Sequence, residues 1–358
     1  MEMHLSFVGG IASYMPKLKG VQIELTGRCN ENCVHCYIPQ DDRNHDMDSA
    51  LLERIIDQCG KMGAERITFS GGEPMLHPDF LKAVVRANCK GLKVRILSNL
   101  LLLDDNKLAT LKECHIHEIQ TSLYSTEPTI HDAITQIFGS CERTKQGIAK
   151  LTQYGIPVFI SCPITTINKN SYPVVLDFAK RFGASSVPDN MILAQSDGNG
   201  KNLEYRLNID EALQVIQDIL DNDTAYDHER FSPNYNNIEE ALPCVQNICS
   251  DAICINAKGE VIPQPEWYKV LGDLNNQTLK DIWENSPEIK SLREINLKRF
   301  PKCESCPAIQ FCGMDLGANA NENLSRDPFV IPEHICILAE STRKLVHSHK
   351  SKLSKETA

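Results

Sequence analysis

The chain has 358 residues, 42% of them hydrophobic, and a formal net charge of −10. That length allows one large domain plus a smaller one, and the acidic balance disfavours nonspecific nucleic-acid binding, which neutralises phosphates with Lys and Arg. No apolar run approaches the ~20 residues of a membrane span, the N-terminus MEMHLSFVGG lacks a secretory signal, and fifteen cysteines then point to a reducing cytoplasm.

In chain order, strands are expected at Val21 to Thr26, Arg66 to Ser70, Lys93 to Ser98, Glu118 to Leu123, Pro157 to Pro163 and Ser186 to Leu193. Between the first two, Leu51, Leu52, Ile55, Ile56, Cys59 and Met62 share one helical face, opened by the candidate caps Asp48 and Ser49 and closed near Gly60 or Gly63. Further helices are expected to begin near Pro78, Asp104, Cys141 and Tyr172, with Gly155 and Gly183 at two of their ends. Strand–helix units in series imply an α/β fold with a parallel sheet and helices outside it. Periodicity leaves open whether that sheet is flat or curled into a barrel.

Three cysteines, Cys29, Cys33 and Cys36, follow the first strand in the run TGRCNENCVHCY, spaced C-x3-C-x2-C. Iron–sulfur clusters are held by Cys thiolates, usually four. Three close thiolates can hold three irons of a cubane and leave one metal position open, the mark of chemistry rather than structure. Structural zinc is the alternative, but zinc knuckles favour C-x2-C pairs answered by a second pair nearby, and none follows within 20 residues. One strand–helix unit later comes Ser70-Gly71-Gly72-Glu73-Pro74. By itself this reads as an ordinary turn, although paired glycines also let a ligand approach the main chain.

The two motifs together resemble the radical S-adenosylmethionine (SAM) superfamily. The resemblance implies a partial (β/α)6 TIM-type barrel with its chemistry at the C-terminal strand ends. It also implies a four-iron cluster whose open iron binds the SAM amine and carboxylate, and whose electron releases a 5′-deoxyadenosyl radical. Gly71, Gly72, Glu73 and Pro74 match the family's GGEP motif, which places Glu73 nearest the SAM ammonium. Ser98, Asn99 and Ser122 are further candidates for SAM contacts, against the reading that hydroxyls at strand ends serve turns and caps. The stretch SLYSTEPTIHDAITQ is similar to members carrying an extra C-terminal cluster domain; its His131 reads as structural. The other histidines pair at ligand spacing only as His115/His117 and His347/His349.

Seven of the fifteen cysteines fall between Cys244 and Cys336. Cys303-x2-Cys306-x5-Cys312 followed by Cys336 supplies four thiolates, enough for one four-iron cluster, with zinc again the alternative. The pattern, with TLKDIWENSPEIKSLRE before it, resembles the SPASM domain, a module that usually holds two auxiliary clusters. Gln264 and Leu316 stand where that module has two further Cys ligands. Cys244, Cys249 and Cys254 could therefore hold a cluster with an open iron, take Gln264 or the substrate as a further ligand, act as free thiols that donate hydrogen atoms, or be plain buried cysteines that bind nothing.

The resemblance spans roughly residues 18 to 340. It divides the chain into an N-terminal extension (1–20), a radical SAM partial barrel (21–235), a small cysteine-rich auxiliary-cluster domain (236–342) and a disordered tail (343–358). It implies a maturase of a ribosomally made precursor peptide, with thioether or carbon–carbon crosslinking favoured over epimerisation. The rival within the superfamily acts on a small metabolite or cofactor precursor. A non-catalytic iron–sulfur or zinc protein is the reading outside it. Expected cofactors are SAM, its [4Fe-4S] cluster and at least one auxiliary [4Fe-4S] cluster. A flavodoxin- or ferredoxin-type reductant is expected too. With only about 20 residues before the first strand, a separate leader-recognition protein or docking on the barrel rim is expected as well.

Overall fold

The computed structural model describes residues 16–189, 191–222 and 248–356. Six strands lie side by side in parallel: β1 Gly20–Thr26, β2 Arg66–Gly71, β3 Lys93–Leu97, β4 Glu118–Ser122, β5 Val158–Pro163 and β6 Ser185–Asp189. Between and after them run α1 Ser49–Lys61, α2 Phe80–Cys89, α3 Asp105–Glu113, α4 Pro128–Thr135, α5 Ser140–Gln153, α6 Tyr172–Phe182 and α7 Ile209–Asp221. The sheet stays open. Beyond β1 it continues into β7 Ala252–Ile255, parallel to β1, then β8 Glu260–Ile262 and β9 Gly272–Asp273, both antiparallel. The cysteine-rich C-terminal segment therefore extends the same sheet, with Ile255 opposite Ile23.

Most expected elements sit within a few residues of their observed places. Asp48 caps α1, its carboxylate accepting from Leu51 N at 2.9 Å, and Leu51, Leu52, Ile55, Ile56 and Cys59 are buried as the periodicity requires. β6 stops at Asp189 rather than Leu193 because the Asp189 carboxylate accepts from Met191 N at 2.9 Å, a side-chain turn that ends the strand. The segment TLKDIWENSPEIKSLRE forms two short helices, Leu279–Asn285 and Pro287–Arg293, broken where Ser286 precedes Pro287.

The tail is the clearest correction. Residues 343–356, expected to be disordered, continue the helix Glu333–Glu356. Ile335, Ala339, Thr342 and Val346 are buried at helical spacing, and Val346 packs against Ile216 and Leu220 of α7. That stripe contains an alanine and a threonine and is flanked by charges, so its period is faint in the sequence. His349 lies 3.4 Å from Asp221. Among the described residues, no helix is long and apolar enough to cross a membrane.

Parallel strands covered on both faces read as continuous apolar runs. These alternate instead. Ile23, Ile67, Phe69, Ile96, Ile119 and Ile160 are fully buried on the face that the helices cover. The intervening residues give the other face Gln22, Glu24, Ser70, Arg95, Gln120, Ser122 and Ser161. There Gln22 donates to Ser70 Oγ at 2.9 Å, and Arg95 donates to Gln120 at 2.7 Å while pairing with Glu118.

Glu24 is 3% exposed, and its nearest hydroxyls, Tyr37 and Tyr268, donate across 3.5 and 3.4 Å. Burial, reinforced by the charge of Glu266, pushes its carboxyl from near 4.5 up to about 8. The folded state then holds a proton that the unfolded chain releases between those values, so this group's contribution to stability falls as pH rises through that window. Glu24→Gln, neutral at every pH, should be more stable than wild type at pH 9 by several kcal/mol, at about 1.4 kcal/mol per pKa unit. The gap should close as pH falls towards 4.5. Urea titrations across pH test this, and a gap that is equal at pH 5 and pH 9 would contradict it.

Candidate functional site

The loop after β1 carries Cys29, Cys33 and Cys36, all part-exposed. It is pinned at several points. Asn32 N and Val34 N donate to Thr135 O and Ile134 O at the end of α4, at 3.0 and 2.9 Å. Arg43 reaches Asn32 Oδ1 at 2.8 Å and Ile38 O at 3.2 Å, and Arg28 pairs with Asp46. Polar groups approach the sulfurs: Glu31 N donates to Cys29 Sγ at 3.4 Å, while Asn99 Nδ2 and Tyr124 Oη donate to Cys29 and Cys33 from 3.9 Å.

The Gly71-Gly72 turn lies directly against this loop. Gly72 N donates to Thr26 O at 2.8 Å and Glu73 N to Arg28 O at 2.9 Å. A Cβ on Gly72 would stand 2.3 Å from Arg28 O, and Gly71 holds φ +126° with Thr26 O 2.2 Å from where its Cβ would be. Only glycine fits either position.

Glu73 is wholly buried rather than presented at a surface. Its carboxylate accepts from Met75 N at 3.0 Å, Ser98 Oγ at 2.9 Å and Asn99 N at 2.8 Å. It thus clips the turn after β2 to the end of β3. Burial pushes its pKa up to about 7 against the pull of those donors. Asn99 extends the clip to the cysteine loop through a 2.7 Å bond from Nδ2 to Asn30 Oδ1. Ser122 ends β4, opposite Ser161 of β5. Pro74 begins a short 3-10 turn, Pro74–Leu76.

A cavity of about 370 Å³ adjoins the loop. His35 and Tyr37, flanking Cys36, form one wall; Pro163 and Asp189 at the ends of β5 and β6 form another; Gln264, Glu266 and Asp315 close it from the C-terminal segment.

The auxiliary thiols come from three elements. Cys303 lies on the helix Pro301–Glu304, Cys306 and Cys312 on the turns after it, and Cys336 on Glu333–Glu356. The four are close enough that each raises the pKa of at least one other or is raised by it. Cys249 and Cys254 are buried, the latter on β7 beside Glu266 and Glu24; Cys244 lies outside the described residues. Of the two positions singled out in the sequence, Gln264 Nε2 donates to Asp315 Oδ1 at 2.7 Å and Leu316 is fully buried. Gly317 packs so closely there that a Cβ would stand 2.7 Å from Gln264 Nε2.

The donor set suits a metal cluster. Burial pushes Cys29 up to about 12 and raises Cys33 and Cys36 as well, so these thiols ionise only when a cationic group offsets the cost. Among the described residues, no three Cys, His, Asp or Glu side chains converge as a single-ion site. A cluster does not ask for that, since each thiolate takes a different iron. His131 is buried against Tyr124, whose backbone N donates to its Nδ1 at 3.3 Å. Glu24, Tyr124, Glu266 and Asp315 were missed from sequence. Glu24 left a visible signal, the one charge in the strand GVQIELT, at an alternate position.

Two family profiles match the chain: the "Radical SAM superfamily" over residues 23–179 and an "Iron-sulfur cluster-binding domain", SPASM, over residues 244–307. A PqqA peptide cyclase of Gluconobacter oxydans (strain 621H) is 26% identical over 300 residues, covering 79% of this chain and 81% of the relative. An AdoMet-dependent heme synthase of Methanosarcina barkeri (strain Fusaro / DSM 804) is 22% identical over 338 residues, covering 88% and 95%. The fold is similar to that of Streptococcus suis SuiB bound to precursor peptide SuiA, with TM-score 0.69, 15% identity and coverage of 89% and 76%. It is also similar to native anSMEcpe with bound AdoMet and Cp18Cys peptide, with TM-score 0.66, 15% identity and coverage of 95% and 100%. The chain is an enzyme of the radical SAM superfamily and carries a C-terminal SPASM-type iron–sulfur domain.

Proposed function

We propose that this enzyme modifies a ribosomally made peptide, with Cys29, Cys33 and Cys36 holding the cluster that binds SAM. The observation that carries the reading is the junction of three strand ends. The cysteine loop after β1, the Gly71-Gly72 turn after β2 and Ser98-Asn99 after β3 are laced together by backbone bonds and by Glu73, next to the cavity. When bound, the cluster supplies one electron to the SAM sulfonium, whose cleavage yields a 5′-deoxyadenosyl radical for hydrogen abstraction.

The chain's own residues orient the partners. Gly71 and Gly72 let the turn after β2 close on the cysteine loop, beside which SAM docks. Glu73 acts from behind, setting Ser98 and Asn99 towards the ligand, and Ser122 continues that polar surface on β4. Gln264, Glu266 and Asp315 offer acceptors to the amides of an extended peptide entering the cavity. Burial pushes Glu266 up to about 7, so it can carry a proton there near neutral pH. Residues 21–235 form the radical SAM unit and residues 236–342 the auxiliary unit, in which Cys303, Cys306, Cys312 and Cys336 close one complete cluster. Cys244, Cys249 and Cys254 do not close an equally complete second one. A flavodoxin- or ferredoxin-type protein supplies electrons, and a separate protein or the barrel rim recognises the leader.

The named relatives support a peptide substrate through the cyclase and the precursor-bound SuiB. The heme synthase, matched over 88% of this chain, supports the second reading, a small cofactor precursor. Mass spectrometry of the reduced enzyme with SAM and a short peptide encoded beside its gene separates them. A peptide lighter by two hydrogens, with fragments spanning a new crosslink, is expected. A peptide mass unchanged in ordinary water, with one deuterium entering an α-carbon in heavy water, would replace crosslinking with epimerisation. An untouched peptide would favour the small molecule.

Two further outcomes test the assignment of residues. Iron and sulfide counts on the Cys29/Cys33/Cys36→Ala triple variant should show one remaining four-iron cluster; two or none would contradict it. Glu73→Ala leaves Met75 N, Ser98 Oγ and Asn99 N without their acceptor. It should weaken SAM binding about 10- to 100-fold, equivalent to ~1.5–3 kcal/mol for a charged hydrogen-bonded group. Calorimetric titration with SAM checks this, and an unchanged affinity would remove Glu73 from the binding machinery.

A further inference from the structure

We propose that Tyr124 is a positioning residue for the N-terminal cluster: its hydroxyl donates to Cys33 Sγ and raises the potential at which that cluster accepts an electron. The inference rests on the reading that Cys29, Cys33 and Cys36 hold that cluster. Tyr124 follows β4 and is 4% exposed. Its Oη lies 3.9 Å from Cys33 Sγ and 2.9 Å from His35 Nε2. A phenolic hydroxyl has one proton and two acceptor lone pairs, so it can donate to one neighbour while accepting from the other. An anionic thiolate is a stronger acceptor than a neutral imidazole. With iron bound, the proton therefore faces Cys33, and His35 takes the tautomer that donates from Nε2 to Tyr124 Oη.

Three residues hold the ring and backbone that carry the hydroxyl. The Tyr124 ring meets His35 edge-on and His131 at a tilt, each with centroids 5.2 Å apart. Its backbone N donates to His131 Nδ1 at 3.3 Å, and its backbone O accepts from Asn168 Nδ2 at 2.9 Å. Asn168 is itself 1% exposed. A side chain this constrained keeps its donor at the sulfur through a redox cycle. Reduction adds negative charge, some of it on the sulfurs, so a donor there stabilises the reduced form more than the oxidised one. Hydrogen bonds to cluster sulfurs are among the factors that set such potentials.

The test is an EPR-monitored redox titration of the reconstituted full-length enzyme, following the signal that SAM addition perturbs. Tyr124→Phe should shift the midpoint of that signal to lower potential with iron and sulfide content unchanged. Incorporating a fluorinated tyrosine at position 124, a stronger donor of nearly the same shape, should shift it upward. An unchanged midpoint in Tyr124→Phe that retains its cluster would overturn the proposal and leave Tyr124 a structural partner of His35. If Tyr124→Phe loses the cluster, the fluorinated protein decides: an upward shift supports the role and no shift overturns it. If no signal in the wild type responds to SAM, the cluster assignment itself fails, and the inference with it.

Discussion

The site depends on how closely two stretches of backbone approach. The turn after β2 presses on the loop after β1 until Gly72 has no room for a side chain beside Arg28 O. Hydrogen bonds from Gly72 N and Glu73 N to Thr26 O and Arg28 O hold the two together. That contact brings Glu73 to the end of β3, where one carboxylate accepts from two backbone amides and a serine hydroxyl. Burying a carboxylate is costly unless such donors surround it. The interaction is therefore all or nothing: three strand ends are joined, or a charge is stranded in the core. Everything proposed for SAM binding rests on that joint.

The sheet contributes a second constraint. Its alternation of apolar and polar positions sends isoleucines towards the helices and Gln22, Glu24, Arg95 and Ser122 to the opposite face. A parallel sheet normally hides both faces, so polar residues at every other position imply that this face lines something. Unpaired by any lysine or arginine among its described contacts, Glu24 is the extreme case, a carboxyl kept protonated by burial beside Tyr37 and Tyr268. The C-terminal segment completes the surroundings by pairing β7 with β1 and bringing Glu266 and Asp315 to the cavity wall.

What could be read from the sequence was whatever is encoded locally. Cysteine spacing and the Gly-Gly-Glu-Pro turn each need only a few consecutive residues, and the strands announce themselves by β-branched runs. Strand–helix units in series implied the parallel sheet, and the family resemblance added the partial barrel. What was hidden depends on register and on distant chain. Nothing in TSLYS says that Tyr124 reaches Cys33, since that follows from where β4 sits relative to the loop after β1. Glu73 was expected to face the ligand, yet its surroundings turn it inward to hold Ser98 and Asn99. The helix at the C-terminus escaped notice because its buried stripe of Ile335, Ala339, Thr342 and Val346 is narrow and lies among charges. The Gln264–Asp315 bond joins residues 51 apart in sequence, a contact that no local pattern signals.

The central claim is that the N-terminal cysteines make this chain a SAM-cleaving enzyme. The most direct measurement is the yield of 5′-deoxyadenosine after anaerobic reduction of the reconstituted protein with SAM, resolved by liquid chromatography. The wild type should yield 5′-deoxyadenosine, and none should form when Cys29, Cys33 and Cys36 are replaced with the C-terminal cysteines left intact. Cleavage that persisted in the substituted protein, or its absence from a wild type with its iron fully loaded, would contradict it.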